Sequence, residues 1–82
     1  MTKNEIRSVL VSQLKEMDLI PNYEEPKDSH TFEDLGIDSI DVLDLAYQLE
    51  KKLGIDQISI DSADTIEESV NYIYNHKQGL AV

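Results

Sequence analysis

Apolar residues recur at intervals of three and four in three separate stretches of this chain, and that spacing places them on one face of an α-helix. The residues are Ile6, Leu10, Leu14 and Met17 in the first stretch, a broad apolar set between Ile40 and Leu53 in the second, and Ile66, Val70 and Ile73 in the third. With 82 residues, the chain has room for one domain and one hydrophobic core. The sequence therefore predicts an all-α fold, a small bundle of three main helices in a single domain over residues 1–82.

Capping residues indicate where these helices begin and end. The predicted caps at the helix starts are Thr2 with Glu5, Asp38 or Ser39, and Asp64 or Thr65 with Glu67 or Glu68. Side chains of these types accept hydrogen bonds from the unpaired N–H groups of a first helical turn. The second helix is expected to end at Leu53, because Gly54 readily takes the left-handed conformation that terminates helices.

The segments between the helices are predicted to be loops and turns. The first loop is long, contains both prolines of the chain, and is expected to be held on the core by Ile20 or Tyr23. A brief helical turn is expected to follow it over residues 31–36. Residues 55–63 fit either a short third helix or a loop, and residues 78–82 are expected to form a frayed tail.

Charge is the strongest feature of the composition. Acidic residues outnumber basic ones by 17 to 7, which gives a formal net charge of −10. Such a surface repels phosphate backbones and anionic lipid, and it suits docking to basic patches on other proteins. The chain also has no cysteine, no export signal and no apolar run long enough to span a membrane. We therefore expect a cytoplasmic monomer that binds other proteins, with no nucleic-acid partner and no membrane insertion.

No arrangement of residues predicts catalysis or metal binding by this chain alone. Ser39 has no evident partners for a nucleophilic triad, because His30 is in a polar loop and His76 is near the chain end. Calcium-binding loops need oxygen ligands at positions 1, 3 and 5, glycine at 6 and glutamate at 12. Counting from Asp34 or from Asp56 breaks that pattern. We expect a protein that is not an enzyme and has no metal site.

One serine stands among carboxylates and aliphatic residues in the stretch EDLGIDSIDVLDL, and it has two interpretations. In the first, Ser39 or Asp38 is an ordinary N-cap of the second helix, with Asp41 matching the helix dipole. In the second, the hydroxyl of Ser39 is a point of covalent attachment. Spacing alone favours the first interpretation.

The longer segment DLGIDSIDVLDLAYQLEKKLGI resembles the signature of the acyl carrier proteins. In that family, the serine after the aspartate receives 4′-phosphopantetheine from coenzyme A through a separate transferase. The resemblance implies that Ser39 is the attachment residue, that Asp38 helps to orient the transferase complex, and that Gly36 allows close approach of the backbone. It also implies contacts with partner enzymes on the second helix. These contacts are expected from the acidic residues Asp41, Asp44 and Glu50 and from the apolar residues Ile40, Leu43 and Tyr47.

The partners implied by the resemblance are a phosphopantetheinyl transferase and acyl-loading and acyl-processing enzymes with basic patches. Those enzymes would belong to fatty-acid, lipid or polyketide-type biosynthesis. Lys51 and Lys52 depart from the family pattern, because they stand where carboxylates are common. This reversal favours a specialised carrier over a housekeeping one. The alternatives are an aminoacyl or peptidyl carrier domain and an acidic helical adaptor that is never modified.

Overall fold

Three helices form the framework of the molecule, as the apolar spacing predicts. The computed structural model describes the backbone of residues 1–80 and the side chains of residues 1–76. The helices are α1 (Lys3–Glu16), α2 (Ser39–Leu53) and α3 (Ile66–Leu80). Helix α1 packs against both α2 and α3. The all-α prediction is confirmed, and the backbone of α3 includes residues 78–80 of the predicted tail. The rest of that tail lies outside the described residues.

The helix caps follow the sequence closely. At the start of α1, Glu5 N donates to the hydroxyl of Thr2 at 3.1 Å, and Thr2 N donates to the carboxylate of Glu5 at 2.8 Å. Hydrogen bonding with the backbone of Thr2, and to a lesser extent with its side chain, lowers the pKa of Glu5. The same reciprocal pair joins Thr65 and Glu68 before α3. The predicted capping boxes are confirmed, with Glu68 rather than Glu67 as the acidic member of the second.

Glycine terminates α2 as predicted. Gly54 has a φ of +66°, in the left-handed region, and its N–H donates to the carbonyl of Glu50. Ile55 N donates to the same carbonyl at 3.1 Å, and the Ile55 side chain is buried. This is the geometry in which the residue after the glycine folds back onto the helix. Beyond it, residues 56–65 form turns and irregular segments with no helix, so the loop alternative describes this part of the chain.

The hydrophobic core combines the inner faces of the helices with side chains from both loops. The largest fully buried side chains are Phe32, Ile6, Leu10, Leu14, Leu45, Leu49, Ile55, Ile66 and Ile73. Ile20 is buried and holds the first loop on the core, whereas Tyr23 is 88% exposed. The prediction is therefore confirmed for Ile20 and not for Tyr23, because Ile20 and the buried Pro26 already hold that loop on the core. Among the described residues, no helix is long and apolar enough to cross a membrane.

The two loops are joined to each other directly beside the start of α2. Phe32 N donates to the carbonyl of Asp64 at 3.3 Å, and Glu33 N donates to that of Ser62 at 3.0 Å. Thr31 and Thr65 form an isolated antiparallel bridge. These backbone hydrogen bonds hold the end of the first loop against the segment that leads into α3. The residues that follow, including the first turn of α2, therefore start from a fixed position.

Candidate functional site at the start of helix α2

Ser39 is the first residue of α2, and its side chain is exposed. The residue before it, Asp38, is the N-cap: its backbone is extended (φ −87°, ψ 175°), and its Oδ1 accepts a hydrogen bond from Asp41 N at 2.9 Å. The structure therefore decides between the two candidate caps. Asp38 satisfies the first turn of the helix, and the hydroxyl of Ser39 makes no hydrogen bond to any described residue.

A compact turn over residues 31–36 precedes this serine in the chain. Thr31 N donates to the carboxylate of Asp34 at 3.0 Å, and Asp34 N donates back to the hydroxyl of Thr31 at 2.9 Å. Hydrogen bonding with the backbone N–H of Thr31, and to a lesser extent with its side chain, lowers the pKa of Asp34. The turn ends at Gly36, whose φ of +78° strongly favours glycine. Ile37 then inserts into the core and fixes the direction from which α2 begins.

Open space surrounds the turn on its outer side. A Cβ added at Gly36 would meet no described atom within 4 Å beyond its chain neighbours. The glycine is therefore explained by its backbone conformation and not by crowding inside this chain. Asp38, Ser39 and Ile40 are all exposed. A second protein can reach the serine hydroxyl without any rearrangement of the fold.

The outer face of α2 presents three apolar side chains to solvent. Ile40 is 74% exposed, Leu43 is 69% exposed and Tyr47 is 53% exposed. The buried side chains of the same helix are Val42, Leu45, Ala46, Leu49 and Leu53. Leu43 and Tyr47 are therefore not core residues, although both belong to the apolar set between Ile40 and Leu53 that predicts the helix. We call Ile40, Leu43 and Tyr47 the outer apolar stripe.

The acidic residues predicted to contact partners are not equivalent. Asp44 is exposed on the outer face, and Asp41 is half-buried in the first turn. Glu50 has a structural partner: its Oε2 accepts a hydrogen bond from Ile58 N at 3.0 Å and so holds the loop after α2. The spacing along α2 did not reveal this, because the contact depends on how the loop folds back. Glu50 is thus a poorer candidate for partner binding than Asp44.

The structure also separates the two lysines at the end of α2. Lys52 Nζ lies 2.7 Å from a carboxylate oxygen of Glu16 and joins α2 to the end of α1. Lys51 Nζ lies 4.5 Å from the centre of the Tyr47 ring, in a cation–π contact on the outer face. Only Lys51 therefore belongs to the surface that includes the outer apolar stripe.

The two histidines have partners in the loops. Lys27 N donates to Nδ1 of His30 at 3.0 Å. Nε2 of His76 lies 2.8 Å from the carbonyl oxygen of Asp56, and its ring stacks on that of Tyr72. Neither histidine is hydrogen-bonded to Ser39. Within the part of the chain that the structure describes, no group of three or more acidic or histidine side chains is arranged to hold a metal ion.

Comparison with known proteins identifies the family. The model named for the phosphopantetheine attachment site matches residues 4–73. The acyl carrier protein of Campylobacter jejuni is 36% identical over 80 residues, which cover 94% of this chain and 97% of that protein. The chain belongs to the acyl carrier protein family. The cofactor of this family is 4′-phosphopantetheine, which is attached covalently.

Further acyl carrier proteins differ in how much of their length is matched. That of Wolinella succinogenes is 38% identical over 78 residues, covering 90% of this chain and 95% of the relative. The acyl carrier protein AcpXL of Rhizobium etli is 54% identical, but only over 28 residues. This match covers 34% of the chain and 30% of the length of AcpXL. No solved structure matches the chain.

Proposed function

We propose that Ser39 holds the 4′-phosphopantetheine group and that the protein carries acyl groups as thioesters on it. The observation that carries this proposal is that Asp38, and not Ser39, caps the start of α2. Asp38 caps the helix through its carboxylate, so the exposed hydroxyl of Ser39 can be modified without loss of a structural hydrogen bond. The positive end of the helix dipole at this position favours an added phosphodiester.

The bound group supplies a thiol, which a chain without cysteine cannot provide itself. The role of the protein is to hold this group and to present it to other enzymes. Ser39 stands on a rigid helix whose first turn is capped by Asp38, and the 31–36 turn with buried Ile37 fixes its orientation. A separate phosphopantetheinyl transferase would attach the group, and acyl-loading and acyl-processing enzymes would act on the thioester. We place these enzymes in fatty-acid, lipid or polyketide-type biosynthesis.

Charge and exposure support α2 as the surface that these enzymes bind. Asp38 is the N-cap of α2, and Asp41 and Asp44 follow in its first two turns, on the helix that carries the outer apolar stripe. A mixed surface of this kind supplies buried apolar area on docking and attracts basic residues over longer distances. We propose Asp41, Asp44, Ile40, Leu43 and Tyr47 as contact residues and give Glu50 a lesser part.

The test is incubation of the protein with coenzyme A and a phosphopantetheinyl transferase of broad specificity, followed by intact mass measurement. We expect one added phosphopantetheine on the native chain and none on Ser39→Ala. Ser29→Ala is the matched control, since Ser29 is also exposed but lies in the first loop. Absence of a mass shift, under conditions that modify another acyl carrier protein, would favour an unmodified acidic adaptor. A shift that persists in Ser39→Ala would place the attachment elsewhere.

A further inference from the structure

A single line of side chains runs down the exposed side of α2, away from Ser39. At 3.6 residues per turn, the positions of Ile40, Asp44, Tyr47 and Lys51 fall within about 60° of one another around the helix axis. All four side chains are exposed. The rise of 1.5 Å per residue puts Lys51 about 18 Å from Ser39 along the axis. We call these four residues the outer line of α2.

The charge along the outer line changes sign. Its first half carries Asp44, whereas its far end carries Lys51. The protein as a whole has a formal net charge of −10, so an exposed cation on this face opposes the overall field. Any surface that covers the whole line meets negative charge near the serine and positive charge about three turns further on.

Contacts within the molecule leave Lys51 available to a partner. Lys52 is already paired with Glu16, and Glu50 is already bonded to the backbone of Ile58. Lys51 forms no ion pair with a carboxylate of the described residues and lies over the ring of Tyr47. The aromatic ring holds the ammonium group over the outer face and leaves its charge in place. The cation is therefore positioned but not neutralised.

We propose that the outer line docks a partner enzyme whose surface is basic near the entrance for Ser39 and acidic opposite Lys51. Lys51, positioned by Tyr47, then selects among partners. It attracts a surface with a carboxylate at the matching place and repels a surface that is basic along its whole length, because like charges brought together at an interface are costly. This inference rests on the proposed carrier function and adds the charge pattern of the partner to it.

The experiment measures docking by competition. The probe is an acyl-loading enzyme whose carrier-binding surface would place basic residues opposite the full length of α2. Its activity is assayed with its own acyl carrier protein. The native chain, Lys51→Glu and Lys51→Gln are added as inhibitors. We expect Lys51→Glu to inhibit about three- to tenfold more strongly than the native chain and Lys51→Gln to be intermediate, since exposed charge pairs contribute modestly. Lys27→Glu is the matched control, because it makes the same charge change on the exposed first loop, and we expect less than a twofold effect.

A substitution in the probe completes the test. Replacing the basic residue of the enzyme opposite position 51 with glutamate should reverse the order, so that the native chain inhibits better than Lys51→Glu. Both differences should shrink in 1 M salt, where screening acts within about 3 Å. Equal inhibition by the native chain and Lys51→Glu, equal effects of Lys51→Glu and Lys27→Glu, or no inhibition by any variant would each overturn the proposal. The unmodified protein serves in this assay, so a failure here is distinct from a failure of Ser39 to be modified.

Discussion

Replacing Asp38 by alanine should destabilise the protein, whereas replacing Ser39 by alanine should not. In the structure, Oδ1 of Asp38 accepts the hydrogen bond of Asp41 N at 2.9 Å. Loss of an N-cap of this kind costs about 1 kcal/mol in the free energy of unfolding. In a domain of this size, that loss lowers the melting temperature by about 4–8 °C. The Ser39 side chain makes no bond to a described residue, so the change for Ser39→Ala should stay within about 0.5 kcal/mol.

The assay is thermal and urea unfolding of the unmodified protein, followed by circular dichroism. Asp38→Asn is the matched control, because an asparagine oxygen is as good a cap as a carboxylate and only the charge is lost. We expect it to cost about 0.5 kcal/mol or less. If Ser39→Ala were as destabilising as Asp38→Ala, the hydroxyl would be a structural cap. The argument that Ser39 is free for modification would then be refuted.

Two further perturbations test the loops that flank the site. Tyr72→Phe removes a hydroxyl that accepts from Ser59 N at 3.1 Å and donates to the carbonyl of Gln57 at 3.2 Å. We expect the free energy of unfolding to fall by about 1–2 kcal/mol and the amide of Ser59 to exchange faster. Unchanged exchange at Ser59 would contradict this expectation. The lowered pKa of Asp34 means that its carboxylate stabilises the fold above the unfolded pKa, about 3.9, and that this contribution disappears as pH falls through the lower folded value. The difference in the free energy of unfolding between the native chain and Asp34→Asn should therefore become smaller from pH 7 to below pH 4. A difference that is constant over this range would contradict the stabilising role of the Asp34 carboxylate.

Much of the framework follows from local rules that act within a few residues. The capping boxes at Thr2 and Thr65 and the glycine stop at Gly54 appear in the structure as the sequence predicts. Each depends on partners three or four residues away, which the sequence displays directly. The same holds for the inner faces of the helices, because the apolar spacing and the helical period have to agree.

The loops were predicted less well, because their side chains contact residues that are distant in sequence. Ile20 and Tyr23 were equal candidates for holding the first loop, and only the fold shows that Ile20 is buried and Tyr23 exposed. Phe32 did not stand out in the sequence, since it belongs to no helical face, yet it is fully buried. No pattern within a short window distinguishes such residues.

The candidate site shows the same division. The sequence by itself determined that α2 begins near Ser39, that a carboxylate precedes it, and that the helix mixes acidic and apolar residues and has two lysines in its last turn. Only the tertiary structure decided which of these side chains are available. It assigned the cap to Asp38, bound Glu50 to the loop, paired Lys52 with α1 and left Lys51 on the outer face. The physical reason is that a charged side chain is free or occupied according to what the rest of the chain brings within about 4 Å of it, and that distance is a property of the folded molecule.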